Sequence, residues 1–216
     1  MIIEPFIRRF TVLKSSGNHI QYVLDIGAYR GDFTETIKVV WPTAIVRQIE
    51  ADDRQAQYLD STAIIALLGD TLNDSIDFFT LPEDKITTGS SIFRELTTHY
   101  AGEHAVILKK SMTTLDTLDS IYNFYGNWRD HGLLKIDTQG SELLILEGAT
   151  KFLTNRAPKY ILLECSITQY NANSPRIAEV VTQMHNYNYI IKDVYDLSYD
   201  RAGNLLQTDI LFERAN

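Results

Sequence analysis

The chain is poor in several things at once. It has a single cysteine, Cys165, in 216 residues, so no intrachain disulfide can form. That usage fits a reducing compartment, and a cytoplasmic protein is expected. With five prolines and 11 glycines it is neither fibrous nor of low complexity. No apolar run approaches the roughly 18–20 residues that a membrane-spanning helix needs, and residues 1–9 lack the long apolar stretch of a secretory leader. Positive charge is also scarce: 20 Lys and Arg stand against 28 Asp and Glu, a net charge of −8. Such a surface repels a phosphate backbone, which argues against nucleic acid as a general partner. What remains is an ordinary globular mixture, 44% apolar and 22% charged, whose length suits one domain over 1–216.

Ile3, Phe6, Ile7, Phe10 and Leu13 recur at helical spacing, which predicts an amphipathic helix over 2–14. Short β-rich runs then alternate with helical stretches. Strands are expected at 22–27, 45–50 and 63–68, with helices at 32–40 and 53–61 between them. After short strands at 75–80 and 105–108 and a helix at 115–124, the pattern resumes with strands at 133–137 and 160–164. Helices are expected at 142–153 and 175–187. Strands linked by crossover helices make an α/β fold with a largely parallel sheet. The last two strands, 189–194 and 208–213, have no legible helix between them, and a parallel crossover normally requires one. They are expected to form an antiparallel hairpin. A polar stretch over 82–104 has no clear period and reads as a lid-like insertion.

The sharpest local signal is Val23-Leu-Asp-Ile-Gly-Ala-Tyr-Arg-Gly-Asp, a strand entering a helix through Asp-x-Gly-x-x-x-Gly. Gly27 lets the chain turn and a ligand approach, Ala28 keeps the turn open, and Gly31 permits the tight helix start. A dinucleotide fingerprint would want Gly-x-Gly-x-x-Gly to cradle a pyrophosphate. Here Asp25 sits at the strand end instead, suited to a ligand ammonium, and S-adenosylmethionine carries that ammonium and no phosphate. Glu50, in Gln48-Ile-Glu-Ala-Asp, follows about 20 residues later, where an acid can accept from both ribose hydroxyls. Ala51 adjoins it, and Asp70, after the third strand, is placed to reach an adenine amino group. In Leu134-Lys-Ile-Asp-Thr-Gln-Gly-Ser-Glu-Leu a Lys–Asp pair flanks Ile136 on a central strand, where ionisable residues need partners. Asp137 and Glu164 then end two further strands, so four acids gather at four strand ends.

The five histidines show no metal-ligand spacing, and no metal is expected. His104 falls in the polar insertion and is a candidate to touch substrate, as is Glu164. Tyr122, Phe124, Tyr125 and Trp128 read either as an apolar acceptor wall or as plain core.

At these residues the chain resembles the FkbM family of S-adenosylmethionine-dependent methyltransferases. The matching pieces are residues 23–31, Ile49-Glu-Ala-Asp, Gly89-Ser-Ser-Ile, Thr114-Leu-Asp-Thr-Leu, Leu134-Lys-Ile-Asp-Thr-Gln-Gly-Ser-Glu, Leu146-Glu-Gly-Ala, Leu162-Leu-Glu-Cys and Asp209-Ile-Leu-Phe-Glu-Arg. The resemblance implies a Rossmann-like class I methyltransferase fold, with a seven-stranded, mostly parallel sheet and an antiparallel last strand. It also implies methyl transfer from S-adenosylmethionine to a hydroxyl of a sugar, polyketide or related small molecule. The family often has Asn where this chain has Tyr29 and Glu where it has Gln139.

The expected reaction is an O-methylation in which Asp137 polarises or deprotonates the acceptor hydroxyl. Asp25, Gly27, Ala28, Gly31, Glu50, Ala51 and Asp70 would serve the cofactor. Two alternatives stand beside it: a non-catalytic S-adenosylmethionine-binding module, and a nicotinamide-dependent oxidoreductase.

Overall fold

The computed structural model describes residues 3–82, 88–96, 106–169, 171–200 and 202–215. The chain runs α1 (Glu4–Ser15), β1 (Tyr22–Ile26), α2 (Asp32–Val40), β2 (Ile45–Glu50), a 3-10 turn (Asp53–Tyr58), β3 (Ile64–Ile65), β4 (Leu67–Leu68), β5 (Asn73–Thr80) and β6 (Val106–Thr113). It continues α3 (Leu115–Tyr122), α4 (Trp128–His131), β7 (Gly132–Ile136), α5 (Glu142–Glu147), α6 (Thr150–Asn155), β8 (Tyr160–Ser166), α7 (Ile177–Asn186), β9 (Tyr189–Tyr199) and β10 (Leu205–Arg214).

Seven strands form one sheet in the order β3-β2-β1-β7-β8-β10-β9. β1 pairs in parallel with β2 and β7, and β7 in parallel with β8. β10 runs antiparallel to both β8 and β9, so the expected hairpin is present and its second strand lies inside the sheet. Alternation along the strands sends side chains to two separate cores. Leu24, Ile26, Leu134, Ile136, Ile161 and Leu163 pack under α3–α7. Val23, Leu133, Leu162 and Leu211 pack under α1 and α2 with Phe6, Phe10 and Phe33. Burying a side chain such as Phe10, which has no exposed surface, contributes about 1.5–3 kcal/mol.

Three expectations need correction. The 63–68 strand divides at Ala66, whose N–H turns to the Glu50 carbonyl at 2.9 Å. β3 stays with β2, while β4 leaves for a second sheet of order β4-β6-β5. The 142–153 helix breaks at Gly148, where a Cβ would lie 2.0 Å from the Gly69 carbonyl oxygen. The 53–61 helix is a single 3-10 segment. Among the described residues, no helix is long and apolar enough to cross a membrane.

Candidate active site

The site is built from the carboxyl ends of β1, β2, β7 and β8 and from the amino-terminal half of the antiparallel β10. After β1 the chain turns at Gly27, with φ +74°. A Cβ there would meet the Asp137 carbonyl oxygen at 1.9 Å, so close approach of the loop after β7 demands glycine. The N–H groups of Gly27 and Ala28 both donate to the Ile49 carbonyl, at 2.9 and 3.2 Å. Tyr29 follows in the left-handed region, φ +51°. Its N–H donates to Glu50 Oε2 at 2.7 Å, and the Asp52 N–H donates to Oε1 at 2.8 Å. The Glu50 carboxylate is thus oriented from two sides while still lining a cavity. Burial raises its pKa, and the two N–H groups offset part of that rise.

Charged residues share the face of the sheet that Val23, Leu133, Leu162 and Leu211 occupy lower down. Asp25 is level with Lys135 across β1 and β7, and Glu164 is level with Asp209 across β8 and β10. Lys135 Nζ lies 3.2 Å from Asp25 Oδ1 and 3.4 Å from Asp137 Oδ2, and it donates to the Gly27 carbonyl at 2.8 Å. Burial opposes the lysine's charge, but Asp137 and Asp25 outweigh it and hold its pKa above the ordinary value. Thr34 Oγ1 donates to Asp25 Oδ2 at 2.9 Å. Glu164 accepts from Gln139 Nε2 and Gln207 Nε2, each at 2.7 Å, and Gln139 Nε2 also lies 3.3 Å from Asp137 Oδ1. Burial, reinforced by Asp137, pushes both Glu164 and Asp209 well above the usual carboxylate range.

These groups border a cavity of about 370 Å³. Of the residues singled out in the sequence, Gly27, Ala28, Glu50, Ala51, Asp137 and Glu164 line it. Asp25 does not: it is fully buried behind Lys135, so its carboxylate is already engaged and supports the site from beneath. Gly31 does not either, since it caps α2 with φ +83°. Asp70 is exposed and outside the cavity, because β4 has turned into the second sheet; Ala66, Leu67 and Leu68 form that wall instead. His104 lies outside the described residues. Of the 82–104 insertion, residues 88–92 line the cavity, and Ser91 Oγ donates to the Gln139 carbonyl at 2.9 Å. Gln139 takes φ +58° and is held there by Ser91 and by the Asn171 side-chain amide. Phe124 and Trp128 are core residues, and none of the four aromatics at 122–128 reaches the cavity. Sequence reasoning missed Gln207, Asp209 and Asp196 as wall residues. The Asp209 motif was in view, but its facing partner depends on hairpin register.

No curated protein matches the sequence. Magnesium protoporphyrin IX methyltransferase from Synechocystis PCC 6803, solved with bound SAH, is similar in structure at a TM-score of 0.52 and 10% identity, over 98% of this chain and 82% of that one. A precorrin-6y C5,15-methyltransferase from Geobacter metallireducens GS-15 aligns at 0.46 and 9% identity, over 97% and 87%. The first of these likenesses shows a shared fold. The family model for the methyltransferase FkbM domain matches residues 25–191, more than three-quarters of the chain. The protein therefore belongs to the FkbM methyltransferase family.

Proposed function

We propose that the cavity binds S-adenosylmethionine and that the protein methylates a hydroxyl oxygen of a small-molecule acceptor, a sugar, polyketide or related compound. The observation that carries the cofactor is Glu50. Its two oxygens are oriented by backbone N–H groups beside the glycine turn, and they keep lone pairs free for a vicinal diol. The donor chemistry fits the rest of the nucleoside. Ala66, Leu67, Leu68, Phe78 and Ile145 offer an apolar slot for a base, and the Gly27 turn leaves no cradle for a pyrophosphate. That last point, with family membership, weighs against the nicotinamide alternative. When bound, S-adenosylmethionine supplies an electrophilic methyl group on sulfur.

The chain's own part is positioning and proton handling. Asp137 faces the cavity with its side chain 35% exposed, beside the Lys135 ammonium. A carboxylate so placed takes the proton from an acceptor hydroxyl, and Gln139 fixes its orientation. Residues 88–92 cover the cavity, in keeping with a lid that excludes water and orients the acceptor. The acidic surface disfavours nucleic acid as the acceptor, and the buried thiol of Cys165 is in keeping with a cytoplasmic setting. Calorimetric titration with S-adenosylmethionine, followed by a screen of hydroxyl acceptors for release of S-adenosylhomocysteine, tests the reading. Failure to bind the cofactor refutes it, and binding without turnover on any acceptor leaves a binding module.

A further inference from the structure

The sign of the cavity wall is lopsided. Among the described residues, seven carboxylates line it and one ammonium, Lys135. That ammonium is already committed to Asp25 and Asp137. Near the base slot the acids are accounted for: Glu50 holds the turn, and Asp52 is gripped by Arg54. At the other end they are not. Glu164 and Asp209 stand directly opposite each other on antiparallel strands, two acids whose ionised forms repel each other. Glu164 is satisfied by two amides, whereas Asp209 accepts no hydrogen bond from any described residue, although it lines the cavity. Asp196 enters the wall beside them from β9, and the rings of Phe6 and Phe33 close the same end from α1 and α2.

We propose that this end of the cavity takes a cationic acceptor, a small molecule bearing an ammonium group close to the hydroxyl that is methylated. The inference rests on the function proposed above and narrows its substrate class. An ammonium brings donors to Asp209, and it offsets the repulsion that ionising both Asp209 and Glu164 creates. A phosphorylated or carboxylated acceptor would meet like charge from Asp137, Glu164, Asp196 and Asp209. Because burial, reinforced by Asp137, favours the protonated acids in the free protein, a bound cation should draw protons off them. Binding should therefore release protons.

The same negative field could serve the cofactor's sulfonium, and the experiment separates the two. S-adenosylmethionine is titrated first; no binding there defeats the proposed function rather than this inference. The protein is then saturated with S-adenosylhomocysteine and titrated with glucosamine, glucose and glucose 6-phosphate. Glucosamine is expected to bind roughly tenfold or more tighter than glucose, the scale of one charge-assisted hydrogen bond. Its heat should vary with buffer ionisation enthalpy in the sense of proton release, and glucose 6-phosphate should bind weakest. In Asp209→Asn the preference for glucosamine over glucose should collapse, and Glu164→Gln supplies a second test should Asp209→Asn misfold. Equal or better binding of glucose, a preference that survives both substitutions, or no binding of any of the three overturns the proposal. So does a fall in the S-adenosylmethionine to S-adenosylhomocysteine affinity ratio in either variant, which would assign the acids to the cofactor.

Discussion

Replacing Lys135 by Met removes one charge and strands another. Asp25 has no exposed surface, and its Oδ1 has only the Lys135 ammonium, 3.2 Å away. At an effective dielectric near 20 that contact is worth about 5 kcal/mol of direct attraction. The desolvation of both ions consumes much of it, so the pair adds little net stability. Breaking it is different, because the aspartate stays buried without its counter-ion, which costs about 3–5 kcal/mol. For a chain of this length each kcal/mol moves the melting temperature by roughly 2–4 °C, so Lys135→Met should melt about 6–20 °C lower. The double variant Lys135→Met/Asp25→Asn removes the stranded charge and keeps a partner for Thr34, so most of the loss should return. Differential scanning calorimetry on wild type and the two variants measures both steps. A single variant within about 2 °C of wild type, or a double variant no better than the single, refutes the charge-pair reasoning.

Glu50→Gln keeps the shape but sets an amide N–H₂ against one of two backbone N–H groups, and loss of a charged acceptor worth about 1.5–3 kcal/mol should weaken S-adenosylmethionine roughly 10- to 100-fold by calorimetry. Asp137→Asn should lower turnover by about 10²–10⁴ at saturating cofactor, with cofactor affinity little changed; turnover within threefold of wild type would remove Asp137 as the base. Gly27→Ala forces a side chain into the left-handed region and onto the Asp137 carbonyl, so denaturant unfolding should show a loss of at least about 1–3 kcal/mol. The raised carboxyls set a pH trend: a group whose folded pKa exceeds its unfolded value stabilises below the unfolded pKa, near 4, and that contribution is lost as pH rises through the folded pKa. The melting temperature should therefore fall as pH is raised from about 4 through the folded pKa values, and Asp209→Asn should flatten that fall.

The framework was legible because its signals are local. The glycine turn, the start of α2 and the hydrophobic runs of β1, β2 and β7 fall where spacing alone puts them. The absence of a helix between β9 and β10 was enough to set their direction. What stayed hidden depends on which strands become neighbours. Asp25 reads as a cavity residue until register sets Lys135 beside it and turns the pair into a buried support. Asp70 reads as an adenine contact until Ala66 bonds to the end of β2 and sends the following residues to another sheet. Asp209 and Gln207 carry no motif of their own as site residues. Pairing across β8 and β10 alone brings them to Glu164.

The placement of β10 governs the order in which the molecule can assemble. β9 precedes it in the chain but touches the sheet only through it, since β10 occupies the slot between β8 and β9. β9 therefore has no native strand partner until β10 has been made, and its apolar positions Ile190, Ile191, Val194 and Leu197 stay exposed even in the finished fold. A strand of that character is a hazard for intermolecular pairing during synthesis. The cavity wall that Gln207, Asp209 and Asp196 supply is then among the last parts to form.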